Sequence, residues 1–166
     1  VVVSGTFDGV NAATFTKSGL GKLTAVNGVA YQGTSSTIVA AGELDLLGEG
    51  PSDRSTLTVN TSAVLGIGSA GAVPGGGLTV NSSSTVNFIN GLQAAKVTSL
   101  NGSGVINLTN NLVQPVELSI VQASGTSLAS NFTGSFYGSG SIVLRSGSVF
   151  QLTSNNTYSG GTSIYS

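Results

Sequence analysis

Apolar and polar positions alternate in short runs along most of the chain, and Gly, Asn or Ser closes each run. The clearest are 56–60 (TLTVN), 78–81 (LTVN), 85–89 (TVNFI), 105–109 (VINLT), 116–120 (VELSI), 141–144 (SIVL) and 148–153 (SVFQLT). A period of two places one set of side chains on a buried face, so these runs predict strands of about four to six residues. Helix is disfavoured throughout, because glycine recurs and no segment keeps apolar residues at i, i+3, i+4 and i+7 for three turns. The one stretch with a weak helical pattern is 91–100 (GLQAAKVTSL).

Repetition separates the β architectures, since a sandwich needs no sequence period and a solenoid does. LTVNTSAVLGIG begins at Leu57 and LTVNSSSTVNFING at Leu78, 21 residues later, and the same step separates Leu23 from Leu44. That is about one coil of a β-solenoid; later spacings lengthen. The expected fold is therefore all-β, a right-handed parallel β-solenoid (β-helix) of about seven coils with little or no helix, forming a rod of roughly 35 Å. Leu, Val, Ile and Phe form inward columns, while Thr, Ser and Asn face outward or stack at corners. Asn27-Gly28, Asn90-Gly91 and Asn101-Gly102 are the expected corners, since both residue types tolerate positive φ.

Composition narrows the function. The 166 residues fit one module, 1–166, and only 7% are charged, against roughly 25% in ordinary soluble proteins. A 39% hydrophobic content argues against disorder. The five basic residues, Lys17, Lys22, Arg54, Lys96 and Arg145, are scattered, so no stripe exists to neutralise nucleic-acid phosphates. Cys and His are absent, which removes thiol chemistry, disulfides, the usual zinc sites and His-dependent triads. No run of 18 apolar residues predicts a transmembrane helix. The start, VVVSGTFDG, carries no Met and no signal sequence, and is expected to be a boundary within a larger secreted chain.

Residues 18–46 and 138–165 resemble the autotransporter-associated β-strand repeat. They share a Gly-x-Gly start (Gly19, Gly21; Gly138, Gly140), an apolar-Thr strand (Leu23-Thr24; Leu152-Thr153) and a Tyr-Gly corner (Tyr31, Gly33; Tyr158, Gly160, Gly161). A Thr/Ser-Ile strand follows in each (Thr37-Ile38; Ser163-Ile164), and Ala41-Gly42-Glu43-Leu44 completes the first copy. The string from Asn155 to Thr162 is the most specific part, and the copies cover about a third of the chain. The resemblance implies a Gram-negative passenger displayed outside the outer membrane as a β-solenoid, with a translocating barrel that is not in this sequence.

Candidate chemistry is sparse. Glu43, Asp45, Glu49 and Asp53 could hold calcium or supply an acid/base pair as in solenoid polysaccharide enzymes, but their spacing fits no calcium loop; they read as a solvated loop around Gly48, Gly50 and Pro51. A serine nucleophile would need Lys17, Lys22 or Lys96 as its base. Gly75 to Gly77 after Pro74 lack the Lys-Ser/Thr of a phosphate cradle and read as a turn. Phe132, Phe136, Tyr137, Phe150, Tyr158 and Tyr165 gather near the C-terminus; Phe132, Phe136 and Tyr137 would bind glycans or a partner if exposed, though strand Phe is more often core. Asn-x-Ser/Thr triplets begin at Asn60, Asn81, Asn101, Asn107, Asn131 and Asn155.

The function expected is a structural or adhesive element of a bacterial surface or secreted protein, without enzymatic activity, catalytic residues or cofactors. Its expected partners are a host surface glycan or protein, or copies of itself. An extracellular filament subunit is the alternative, with Val1, Val2, Val3, Ser163, Ile164 and Tyr165 as its assembly ends. A polysaccharide-acting β-helix enzyme is the third reading. Without His, stability is expected to be nearly flat from pH 5 to 8.

Overall fold

Every strand pairs with its neighbours in parallel, and each pairing joins one coil to the next. The computed structural model describes residues 1–3, 7–9, 14–27, 29–31, 35–49, 55–73, 75–121, 130–145 and 150–165, and among these there is no helix. The chain winds as a parallel β-solenoid of about six turns.

Three faces make up a coil. The first stacks eight strands: β1 (Val2–Val3), β4 (Lys22–Ala25), β7 (Glu43–Leu46), β9 (Val64–Ile67), β11 (Thr85–Phe88), β14 (Val105–Asn107), β16 (Ser135–Gly138) and β18 (Thr157–Tyr158). The second holds β3 (Thr14–Lys17), β6 (Ser36–Val39), β8 (Thr56–Val59), β10 (Leu78–Val80) and β13 (Leu100–Gly102). The third is visited between them. It carries two separate sheets, the pair β2 (Phe7–Gly9) and β5 (Val29–Tyr31), and later the four strands β12 (Ala94–Val97), β15 (Glu117–Val121), β17 (Ser141–Arg145) and β19 (Thr162–Tyr165).

The 21-residue step is the coil. Leu23 pairs with Leu44 and Leu57 with Leu78. The step lengthens to 30 residues between Val105 and Ser135, where the chain makes an excursion at 109–115. Longer late coils account for about six turns where about seven were expected.

Inward columns form the core. Leu44, Leu65, Val86, Ile106 and Phe136 lie in register on successive rungs of the first face, and all are buried. Leu57, Leu78 and Leu100 do the same on the second, and Val97, Ile120 and Leu144 on the third. Full burial of each such side chain stabilises the fold by about 1.5–3 kcal/mol.

Corners follow the expected chemistry in part. Asn90 and Gly91 both take positive φ, as do Ser62 and Ser83 at equivalent places 21 residues apart. The Asn81 amide donates to Asn60 Oδ1 across one coil (3.4 Å), a short ladder. Gly102 instead lies inside β13 at φ 100°, where a Cβ would strike the Val80 carbonyl. Asn27 lies in a turn, and Gly28 is outside the described residues.

The stretch with a weak helical pattern is strand, in keeping with a fold of little or no helix, and one strand expectation changes. Residues 91–100 form β12 and the start of β13, because Ala95, Val97 and Leu100 are needed in the core and burial overrides helix propensity. Residues 150–153 are irregular rather than a strand; 148–149 lie outside the described residues. The two repeat-like stretches also enter the coil one face apart. Tyr31 is on the third face and Tyr158 on the first, while Thr37-Ile38 lies on the second and Ser163-Ile164 on the third.

Candidate functional site

Glu43 and Asp45 point outward from β7, flanking the inward Leu44. Lys22 of the preceding rung reaches both: its Nζ is 2.9 Å from Glu43 Oε1 and 2.5 Å from Asp45 Oδ2. Asp45 is buried, contrary to the expectation of a solvated loop, because its side chain lies over Gly66 of the next rung. Asp45 Oδ1 has no hydrogen-bond partner. Burial holds the Asp45 carboxyl above its ordinary 3.8, although Lys22 pulls the other way. The bonds to Asp45, then to Glu43, raise Lys22 above 10.5. The same contact thus favours the charged ammonium without overcoming the desolvation of its partner.

Glu49 continues the pattern, accepting from Ser69 Oγ (2.8 Å) and lying over Gly71. Asp45, Leu47 and Glu49 therefore lean over Gly66, Gly68 and Gly71, and the glycines of one coil make room for the outward side chains of the one before. Asp53 lies outside the described residues, among which no group of three acidic side chains converges as a metal site would require.

The lysines considered as bases are otherwise placed. Lys17 Nζ donates to the carbonyls of Ser18 (3.3 Å), Gly19 (2.8 Å) and Ala41 (2.9 Å), tying one corner to the next coil. Lys96 is exposed on β12 beside Ser119, whose hydroxyl donates to Glu117 Oε1 (3.2 Å). Gly75 to Gly77 form the expected turn, with the Gly76 amide spent on the Ser55 carbonyl (2.9 Å).

Phe132 and Phe136 are buried with ring centroids 5.0 Å apart, and Phe150 and Tyr158 each lie 6.2 Å from Phe136. An exposed row of Phe132, Phe136 and Tyr137 is therefore not formed: β16 sends Phe136 inward and only Tyr137 outward. Tyr165 stacks under Arg145 at 5.0 Å.

At the proposed assembly ends, Val1 is exposed and its carbonyl accepts from Thr24 N (2.9 Å), while Val2 and Val3 pair with β4. Ser163, Ile164 and Tyr165 pair with β17. Of the Asn-x-Ser/Thr asparagines, Asn60 and Asn81 bond each other, Asn101 Oδ1 accepts from Asn131 N (2.9 Å) and Asn107 Oδ1 from Thr109 N (3.0 Å). Asn155 is exposed.

One surface was missed in the sequence. Beyond Gly66 the outward column of the first face runs Asn87, Asn107, Tyr137, beside the loop at 109–115. The 20-residue step from Asn87 to Asn107 was the available signal. No known protein family, curated protein or solved structure matches this chain.

Proposed function

We propose that this chain is a structural and adhesive element of a bacterial cell-surface or secreted protein. It acts as a rigid β-solenoid rod that holds outward columns and corner loops in fixed register for contact with a surface glycan, a protein or another copy of itself. The observation that carries this reading is the unbroken first face, eight parallel strands deep, with a buried column of five rungs from Leu44 to Phe136 beneath it. Each rung is bonded to its neighbours, so the surface it presents is preorganised and little ordering entropy is lost on contact.

Export as an autotransporter passenger rests on the resemblance of residues 18–46 and 138–165. The contacts of their glycines support it: a Cβ on Gly42 would come within 2.5 Å of the Gly19 and Gly21 carbonyls, and one on Gly160 within 2.5 Å of the Gly140 carbonyl. Gly42 and Gly160 thus serve close coil-to-coil packing, whereas a Cβ on Gly19, Gly21 or Gly161 would meet nothing. Display of the chain on a bacterium that does not normally adhere tests the reading. Gain of adhesion or clumping is expected; cleavage of polysaccharides without gained adhesion would replace it with the enzymatic reading.

End-to-end assembly is a second reading, favoured by Ile164. It continues the buried column Val97, Ile120, Leu144 but is itself 75% exposed, on a strand paired on one side. A further coil of the same chain or a second copy would cover it, and this reading takes the second copy. This predicts concentration-dependent threads that Ile164→Lys abolishes, and a chain that sediments as a monomer at high concentration rules it out.

A further inference from the structure

The depression between Asn87 and Asn107 on the first face and the start of the 109–115 loop is a built feature. Asn110, itself buried, holds the loop: its Oδ1 accepts from the amides of Leu112 (2.9 Å) and Gln114 (3.0 Å), and its Nδ2 donates to the Leu92 carbonyl (3.0 Å). Asn111 Oδ1 accepts from Gly91 N (3.1 Å), tying the loop to the preceding coil. The hold is firm enough to keep Val113, a β-branched residue, at φ 60°. The loop is therefore a fixed wall.

The depression beside this wall is lined by Asn87, Asn107, Thr109, Asn110 and Asn111, together with Phe88 and Ile89. None of these is charged. The Asn87 amide has no side-chain hydrogen bond among the described residues, and Asn107 and Asn111 use Oδ1 alone. One rung beyond Asn107 and outside that lining, Tyr137 is 38% exposed.

We propose that this depression binds a neutral oligosaccharide, with a sugar ring against Tyr137 and its hydroxyls on the amides of Asn87, Asn107 and Asn111. The proposal rests on the adhesive reading above and gives it a ligand class. An amide both donates and accepts, as a hydroxyl does, and the tyrosine ring offers an apolar face with a polar tip. From Asn87 to Tyr137 is two rungs, about 10 Å, the reach of a disaccharide. A peptide is disfavoured because β11 and β14 are paired on both sides, leaving no strand edge to extend. The uncharged lining disfavours a polyanion.

The test is an array of neutral and acidic oligosaccharides probed with the 166-residue chain, followed by calorimetry and nitrogen-15 NMR with the best neutral ligand. Saturable binding is expected, with the side-chain amide signals of Asn87 and Asn107 shifting. Tyr137→Ala weakens binding about tenfold, the loss of one stacking contact. Tyr137→Phe retains binding, and Lys96→Ala on the third face leaves it unchanged. Three results overturn the proposal: no neutral sugar binds, the Asn87 and Asn107 signals stay put at saturation, or only acidic sugars bind and Lys96→Ala abolishes it. Adhesion without array binding removes this site and leaves the adhesive rod; array binding without adhesion does the reverse.

Discussion

Asp45 Oδ1 lies against Gly66 of the following rung, in the space that a Cβ at Gly66 would occupy. The buried carboxylate exists because the next coil has no side chain there. Gly66→Ala is expected to destabilise the fold by about 1–3 kcal/mol, the range for overpacking. The Ile89 methyl, 2.9 Å from the same point, must also give way. Asp45→Ala in the Gly66→Ala background should recover part of that loss, and urea melts of the two single variants and the double variant measure the coupling.

The same carboxylate sets a pH dependence. A folded-state pKa above the unfolded value means that the native state holds the proton more tightly. Stability from this group is complete below about 3.8 and is lost as pH rises through the folded value. Lys22, also raised, contributes stability that is present below 10.5 and lost above it. The expected flatness from pH 5 to 8 followed from the absence of His and did not count a buried Asp. Urea midpoints across pH 3 to 7 should fall for the parent relative to Asp45→Asn as pH rises; parallel curves would mean that Asp45 titrates as it does in the unfolded chain.

Phe136 is the hub of the C-terminal aromatic core. Phe136→Ala should cost about 3–5 kcal/mol. In a solenoid the loss stays near its origin, so hydrogen exchange should rise first in β16, β17 and β18 and last in β8 and β9.

Val113 is 83% exposed at φ 60°, so replacing it removes strain without removing burial. Val113→Asn should raise stability by about 1 kcal/mol, since Asn tolerates the left-handed region. A shift of the urea midpoint to lower concentration would show that the side chain makes a stabilising contact.

The coil was legible in the sequence because Leu57 and Leu78 open near-identical phrases one coil apart. Strand alternation followed from the same residues. The burial of Asp45 was not legible, since it depends on Gly66, a neighbour only once the coil closes. Nor were the left-handed Ser62 and Ser83, because serine carries no strong preference for that conformation. The column of Asn87, Asn107 and Tyr137 is hidden by the step of 30 residues that separates its last two members. Phe136 and Tyr137 are adjacent in the sequence, and only the strand's phase tells which of them faces water.

The one-face displacement between residues 18–46 and 138–165 constrains how such a chain can change length. Recombination between the two stretches would join the corner before a first-face strand to the corner before a third-face strand. Every later segment would then turn by one side of the triangle, so that first-face strands would have to stack on third-face ones. Growth by whole coils keeps the phase, whereas exchange between similar phrases breaks it. Viable length variants should therefore differ by about 20 residues or a multiple of it, the coil length of a β-solenoid.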